Sequence, residues 1–269
     1  MEKMVGFIGG GNMGSAMMSG IIHAGLYDAD HVIASCKTAG SAERLHSQLG
    51  IYATTDNCEI ASRADILFLA VKPNLFATVI PQIRSCCKEG QIVVSIAAGQ
   101  TIQGITDAFQ RPVKLVRGMP NTPAQVGQAM SALTPNEHVR EEELAEVLAI
   151  FESFGEAEVV PEHLMDAVVG VSGSSPAYIY MMIEAMADAA VADGMPRAQA
   201  YKFAAQSVKG AAQMVLQTGT HPGSLKDAVC SPGGTTIAAV AKLEENGFRS
   251  AVIDAQRACV QKSRDMSRS

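Results

Sequence analysis

Along the first 160 positions, short apolar runs rich in β-branched residues alternate with stretches of helical spacing. The runs fall at Met4–Ile8, His31–Ser35, Ile51–Thr54, Ile66–Val71, Ile92–Ile96 and Lys114–Arg117, and Met130–Leu133 and Ala157–Val160 continue the series. Runs this short, apolar on consecutive positions, predict strands covered on both faces. Helical spacing falls between them at Asn12–Ala24, Ser41–Leu49, Leu75–Ser85 and Ile102–Ala108, and in an acidic stretch at Glu141–Phe154. Strand and helix in alternation predict an α/β fold, a doubly wound, mostly parallel sheet with crossover helices.

The pattern changes at Pro161, after which every apolar period is helical. Ser175-Pro176 starts a helix expected over Pro176–Asp193, with a hydroxyl beside a proline at the first helical position. Only Glu184, Asp188 and Asp193 interrupt its apolar surface, so it must be covered on several sides. Some 110 residues cannot hide such a helix alone, which predicts a homo-oligomer. Gly194 ends it, Pro196 opens Arg197–Leu216, and Thr235–Glu245 and Arg249–Met266 follow. The chain thus divides into an α/β domain at 1–160 and an all-helical domain at 161–269.

Composition narrows the classes. Hydrophobic residues make up 48% and charged residues 18% of 269, which excludes a disordered chain or a coiled-coil rod. Twenty-one basic against 27 acidic side chains leave a net charge of −6, so neither nucleic acid nor an anionic membrane is attracted in general. No apolar run is long enough to span a bilayer, and the start at Met1-Glu2-Lys3 lacks a signal-peptide pattern. A cytoplasmic protein is expected. The six cysteines show neither zinc-site spacing nor a Cys-x-x-Cys pair, and are expected to be mostly buried hydrophobes without a disulfide framework. No metal site is expected.

The chemistry begins at Val5-Gly6-Phe7-Ile8-Gly9-Gly10-Gly11-Asn12-Met13-Gly14, where glycines 9, 11 and 14 form Gly-x-Gly-x-x-Gly between a strand and a helix. They supply a tight turn, room for a pyrophosphate and close helix–strand packing, the signature of a Rossmann-like dinucleotide site. An NAD site places an acid after the second strand, about 20 residues on. Here that position holds Ser35, Cys36, Lys37 and Thr38, hydroxyls and an ammonium that suit a 2′-phosphate, so NADPH is preferred over NADH. Ala70-Val71-Lys72-Pro73, Ala97-Ala98-Gly99 and Gly118 to Ala124 end further strands and would floor the nicotinamide half. Asn57 either caps a helix or touches the adenosine. In the second half, Cys230-Ser231-Pro232-Gly233-Gly234-Thr235-Thr236 reads either as a capped helix start or as an anion cradle with hydroxyl donors.

These motifs resemble the pyrroline-5-carboxylate reductase family over essentially the whole chain. Ala70–Pro73, Met119–Pro123, Gly170–Tyr178 and Ser231–Thr236 carry the resemblance most specifically. It implies reduction of 1-pyrroline-5-carboxylate to L-proline, the last step of proline biosynthesis. It also implies an all-helical dimerisation domain interleaved with a partner's, in dimers that can stack into rings. Carried onto this sequence, cofactor contacts fall at Gly9 to Met13, Ser35 to Thr38, Asn57, Ala70 to Pro73 and Ala98. Substrate contacts fall at Thr235 and Thr236, with Ser231 nearby and Glu162 as a further substrate-side position. From the chemistry of a cyclic imine acid, the amides around Gly234 are expected to hold the carboxylate, and Thr236 is the expected catalytic residue, donating to the ring nitrogen. The segment 35–38 departs from the serine-proline form common in the family.

Two other readings start from the same glycine turn. β-Hydroxyacid dehydrogenases place a lysine on the long helix after the domain junction, and here no lysine lies between Lys114 and Lys202. A nucleotide sensor with an assembly domain would have no use for the hydroxyls at 231–236.

Overall fold

The computed structural model describes residues 3–268; Met1 and Glu2 of the opening segment, and Ser269, lie outside them. The first elements in chain order are β1 (Val5–Ile8), α1 (Asn12–His23), β2 (Val32–Ser35), α2 (Ala39–Leu49), β3 (Tyr52–Thr54) and α3 (Asn57–Arg63). Next come β4 (Ile66–Leu69), α4 (Phe76–Ile83), β5 (Ile92–Ser95), α5 (Ile102–Phe109), β6 (Lys114–Met119), β7 (Ala129–Pro135), α6 (Glu141–Glu152) and β8 (Gly155–Val159). The strands form one sheet in the order β3-β2-β1-β4-β5-β6-β7-β8. All pairs are parallel except β6 with β7.

Period-two geometry explains why the strands read as continuous apolar runs. Val5 and Phe7 face one core with Ile66, Phe68 and Val94, while Ile8, Leu67, Leu69 and Val93 face another. The first core lies under α1, α2 and α6, and the second under α3, α4 and α5. Phe7 and Phe68 stack at 4.6 Å between ring centroids, and both are fully buried. Each such side chain contributes about 1.5–3 kcal/mol of burial. Phe154 fills the groove that Gly20 leaves in α1, where a Cβ would stand 2.6 Å from the Phe154 Cβ.

After β8 the first unit continues through α7 (Met165–Val168) into a five-residue π-helical turn, Val169–Gly173. The first compact unit comprises residues 1–174 and 259–269; the second comprises 175–258. The second unit holds α8 (Ser175–Ala192), α9 (Arg197–Thr218), α10 (Pro222–Ala228), α11 (Thr235–Glu245) and the first half of α12 (Phe248–Arg268). Pro196 stands at the N-cap of α9, as its position before the helical pattern predicts.

The differences from the sequence reading are local. The strand expected to run to Val71 stops at Leu69, because Ala70–Pro73 leaves the sheet to meet the glycine turn. The helix expected from Leu75 begins with a 3-10 turn at Pro73–Leu75 and has Pro81 inside it. Two short elements, α7 and α10, were not expected, each being too short to show a helical period, and α3 entered only as the helix in one of the two readings of Asn57. The turn at 171–177 is a π-helical segment leading into α8. Cys58 and Cys86, expected among the unlinked thiols, are joined as a disulfide, whereas Cys36 and Cys87 are buried and free.

Candidate active site

β1 lies between β2 and β4, so its carboxyl end is where the strand order reverses and a crevice opens. Gly9 makes the turn there with φ +112°, a conformation that side chains rarely adopt. Its amide donates to the Ser35 carbonyl at 3.0 Å, and a Cβ would stand 2.6 Å from the Ala70 carbonyl oxygen. A Cβ on Gly14 would strike the Gly9 carbonyl oxygen at 2.4 Å, so the helix can approach the turn only because both are glycine. Gly10 is closed from the other side by the Cys36 sulfur, 2.7 Å from where a Cβ would lie. A Cβ on Gly11 would meet nothing within 4 Å. Gly11 also caps α1 without side-chain help, so the first amides of the helix face that open space. The cradle fits a pyrophosphate.

The space continues into a cleft of about 710 Å³ walled by Gly11–Met13, Ala70–Pro73, Ile96–Ala98 and Met119–Thr122, with Gly173 and Met266. Its volume lies in the range of cofactor pockets. Asn121 anchors the far wall. It is buried, accepts from the Met130 amide at 3.0 Å and donates to the Ser172 carbonyl at 3.0 Å. The π-helical turn leaves that carbonyl available. The wall is therefore fixed before any ligand arrives.

The segment after β2 divides its tasks. Ser35 is fully buried and donates to Asn57 Oδ1 at 2.7 Å, and Asn57 Nδ2 donates to Gln82 at 3.0 Å. Asp56, not Asn57, caps α3, with its carboxylate accepting from the amides of Cys58 and Glu59. Cys36 is buried, and burial pushes its thiol up against the pull of the Gly10 backbone and Arg44. It packs beneath the glycine turn. Thr38 caps α2, its hydroxyl accepting from the Ser41 amide and donating to the Ser41 hydroxyl at 3.0 Å. Lys37 is exposed and makes no ion pair among the described residues, which leaves its charge available to an incoming anion.

Of the substrate candidates, Glu162 lies in the first unit. Its Oε1 accepts from buried Arg117 at 3.0 Å and from the Ile102 amide at the start of α5 at 2.8 Å. Its carboxylate thus ties β6, α5 and the start of the segment leading to α7. The others share a turn in the second unit. Gly233 has φ +69°, the Gly234 amide donates to the Ser231 carbonyl at 3.0 Å, and a Cβ on Gly234 would strike the Ser231 hydroxyl at 2.3 Å. Gly234 caps α11 without a side-chain hydrogen bond, so the amides and hydroxyls of Thr235 and Thr236 sit at an uncapped helix mouth. The sequence signals the glycine turn and these threonines. It gives no sign that Met266 walls the first-unit cleft, because nothing local ties the last helical turn to Gly99, against which it packs.

Sheet order, glycine turn and cleft define a dinucleotide-binding Rossmann domain. Residues 4–99 match the family model described as NADP oxidoreductase, coenzyme F420-dependent, and residues 162–266 match that for pyrroline-5-carboxylate reductase dimerisation. The chain is 54% identical to the pyrroline-5-carboxylate reductase of Escherichia coli K12 over all 269 residues, covering 100% of both chains. Its structure is similar to a pyrroline-5-carboxylate reductase from Coxiella burnetii, with a TM-score of 0.92, 32% identity and 99% of each chain covered. It is also similar to the Plasmodium falciparum pyrroline carboxylate reductase with NADP bound, with a TM-score of 0.89 and 30% identity over 99% and 98% of the chains. The chain belongs to the pyrroline-5-carboxylate reductase family, and so to the NADP-linked oxidoreductases. Among the described residues, no helix is long and apolar enough to cross a membrane, and no cluster of side chains could hold a metal ion.

Proposed function

We propose that this chain reduces 1-pyrroline-5-carboxylate to L-proline in the cytoplasm, with NADPH as the preferred reductant and NADH as the weaker one. When bound, the nicotinamide supplies the hydride that the imine carbon receives. The observation that carries the reading is the Gly9–Gly14 turn opening into a fixed cleft, within a chain 54% identical from end to end to a reductase of this name. Residues 1–160 supply most of the dinucleotide site, with Gly173 and Met266 completing the cleft: Gly9, Gly10 and Gly11 give the pyrophosphate its amides, Asn12 and Met13 follow them, and Ala70–Pro73 and Ala98 floor the nicotinamide. Lys37 reads the 2′-phosphate with Thr38, and Asn57, steadied by Ser35, meets the adenosine. Cys36 supports the turn from below.

Residues 161–269 bind substrate and assemble the enzyme as an interleaved homodimer, the unit from which larger rings would stack. The amides around Gly234–Thr236 and the Ser231 hydroxyl hold the carboxylate, and the Thr236 hydroxyl donates a hydrogen bond to the ring nitrogen. Glu162, through Arg117, positions rather than contacts the substrate. The proton that the nitrogen finally carries arrives with the substrate or from water. Loss of nicotinamide absorbance on mixing the protein, NADPH and pyrroline-5-carboxylate tests the reading. Consumption with this imine, and none with hydroxy or keto acids, is the expected result; the reverse pattern would replace the reductase with a hydroxyacid dehydrogenase.

A further inference from the structure

Cys58 and Cys86 stand 28 residues apart in sequence, and their bond joins α3 to the turn after α4 with the Cα atoms 5.5 Å apart. That separation lies within the range of native bridges. Both sulfurs lie against one acceptor, the Gln82 carbonyl, at 3.6 and 3.8 Å. The side chain of the same Gln82 accepts from Asn57, which in turn accepts from Ser35. One residue therefore connects the two cysteines to the end of β2. Both cysteines are half-buried, within reach of a small solute. Their neighbour Cys87 is buried, and burial pushes its thiol up to about 11 against the pull of Arg111. At neutral pH it forms almost no thiolate and does not compete.

We propose that Cys58 and Cys86 are a thiol–disulfide exchange site for a low-molecular-weight disulfide of the glutathione type, and that their bond locks the Ser35–Asn57–Gln82 chain at the adenosine end of the cofactor site. The second half of this statement rests on the reading of Asn57 given above. In the forward direction one cysteine, as thiolate, attacks the small disulfide, forming a mixed disulfide and expelling one small thiol. The second thiolate attacks the protein sulfur of that mixed disulfide, closes Cys58–Cys86 and expels the other small thiol. The protein loses two electrons and two protons, and the small disulfide gains both. Closure pins α3 to α4, so Asn57 is held in its ligand-facing position before the cofactor arrives.

The test equilibrates the full-length protein in buffers spanning ratios of reduced to oxidised glutathione, then traps thiols by alkylation for peptide mass mapping. Cys58 and Cys86 are expected to lose their alkyl groups together as the buffer becomes oxidising, while Cys87 keeps one state throughout under denaturing alkylation. Alkylation of both cysteines at every ratio, or separate glutathione adducts on each, would overturn the exchange site. NADPH binding is read on the same samples by nicotinamide fluorescence. The oxidised form is expected to bind about fivefold more tightly, and C58S and C86S should show no dependence on the buffer. Equal affinity in both states would overturn the lock. Failure to bind NADPH in either state would refute the cofactor reading, and with it the lock, and the mapping would still decide the exchange site.

Discussion

Thr236 is the residue on which the proposed chemistry most depends, and its position explains what removing it should do. Thr236 is the second residue of a helix with no side-chain cap, so loss of its hydroxyl leaves in place the amides proposed to hold the carboxylate. Thr236→Ala should therefore lower kcat by about 10- to 100-fold, on the order of 1.4–3 kcal/mol, with a smaller change in KM. Thr236→Ser should restore most of the rate. Steady-state kinetics checks both, and unchanged turnover in the alanine variant would take Thr236 out of the scheme. Lys37 is a second single-residue case. Its exposed, unpaired ammonium should matter only to a cofactor with a 2′-phosphate, so Lys37→Gln should raise the KM for NADPH by about 3- to 10-fold, an exposed charge pair being worth roughly 1 kcal/mol, and leave that for NADH unchanged. Equal effects on both cofactors would mean that the ammonium does not read the phosphate. Both residues stood out in the sequence because each lies just before or at a helix start, Lys37 between β2 and α2 and Thr236 at the start of α11 after a glycine turn. The jobs of Ser35, Asn57 and Cys36 were only half legible. Their partners, Gln82 and Gly10, are fixed by the packing of neighbouring elements.

At the scale of elements, the eight strands among the described residues were each readable, with ends displaced by up to two residues. Runs such as Val5–Ile8 and Ile66–Leu69 supply both cores at once and so carry no polar interruption. What escaped were the four residues of α7 and the seven of α10, where no period can develop, while the seven of α3 entered only through one reading of Asn57. The Cys58–Cys86 bridge escaped as well. The N-terminus of α6 shows how an element is fastened electrostatically. Burial pushes the Glu143 carboxyl up, but hydrogen bonds from Arg140 and Lys114 and from the Arg140 amide outweigh it and hold the group at about 2. A carboxyl lowered in the folded state stabilises the fold above its unfolded value near 4.3 and loses that contribution as the pH falls toward 2. The urea midpoint should therefore drop between about pH 5 and pH 2, and Glu143→Gln should start lower and show a shallower drop. The same slope in both proteins would assign the acid sensitivity to other carboxylates.

The whole molecule poses the question of what covers the helical unit. Within one chain α8 buries only Ala187, while Tyr180 and Met181 remain 61% and 69% exposed. On α9 and beyond, Phe203, Leu216 and Val229 are exposed as well. Monomers rarely leave so much large apolar surface in water, and the match of residues 162–266 to a dimerisation model points to a homo-oligomer. The sequence foretold this through the near absence of charge on α8, a signal that needs no knowledge of how the copies meet. The cofactor cleft, by contrast, is walled by residues of the first unit alone. Assembly and dinucleotide binding should therefore separate. Met181→Glu places a carboxylate where an apolar contact is expected, at a cost of several kcal/mol if it is buried unpaired. Sedimentation equilibrium should show the wild type as a dimer or larger and the variant as a monomer, while NADPH fluorescence titration gives both the same affinity. A variant that assembles as the wild type does would mean that this face of α8 is not the covered one. A monomer that no longer binds NADPH would mean that the cleft depends on assembly.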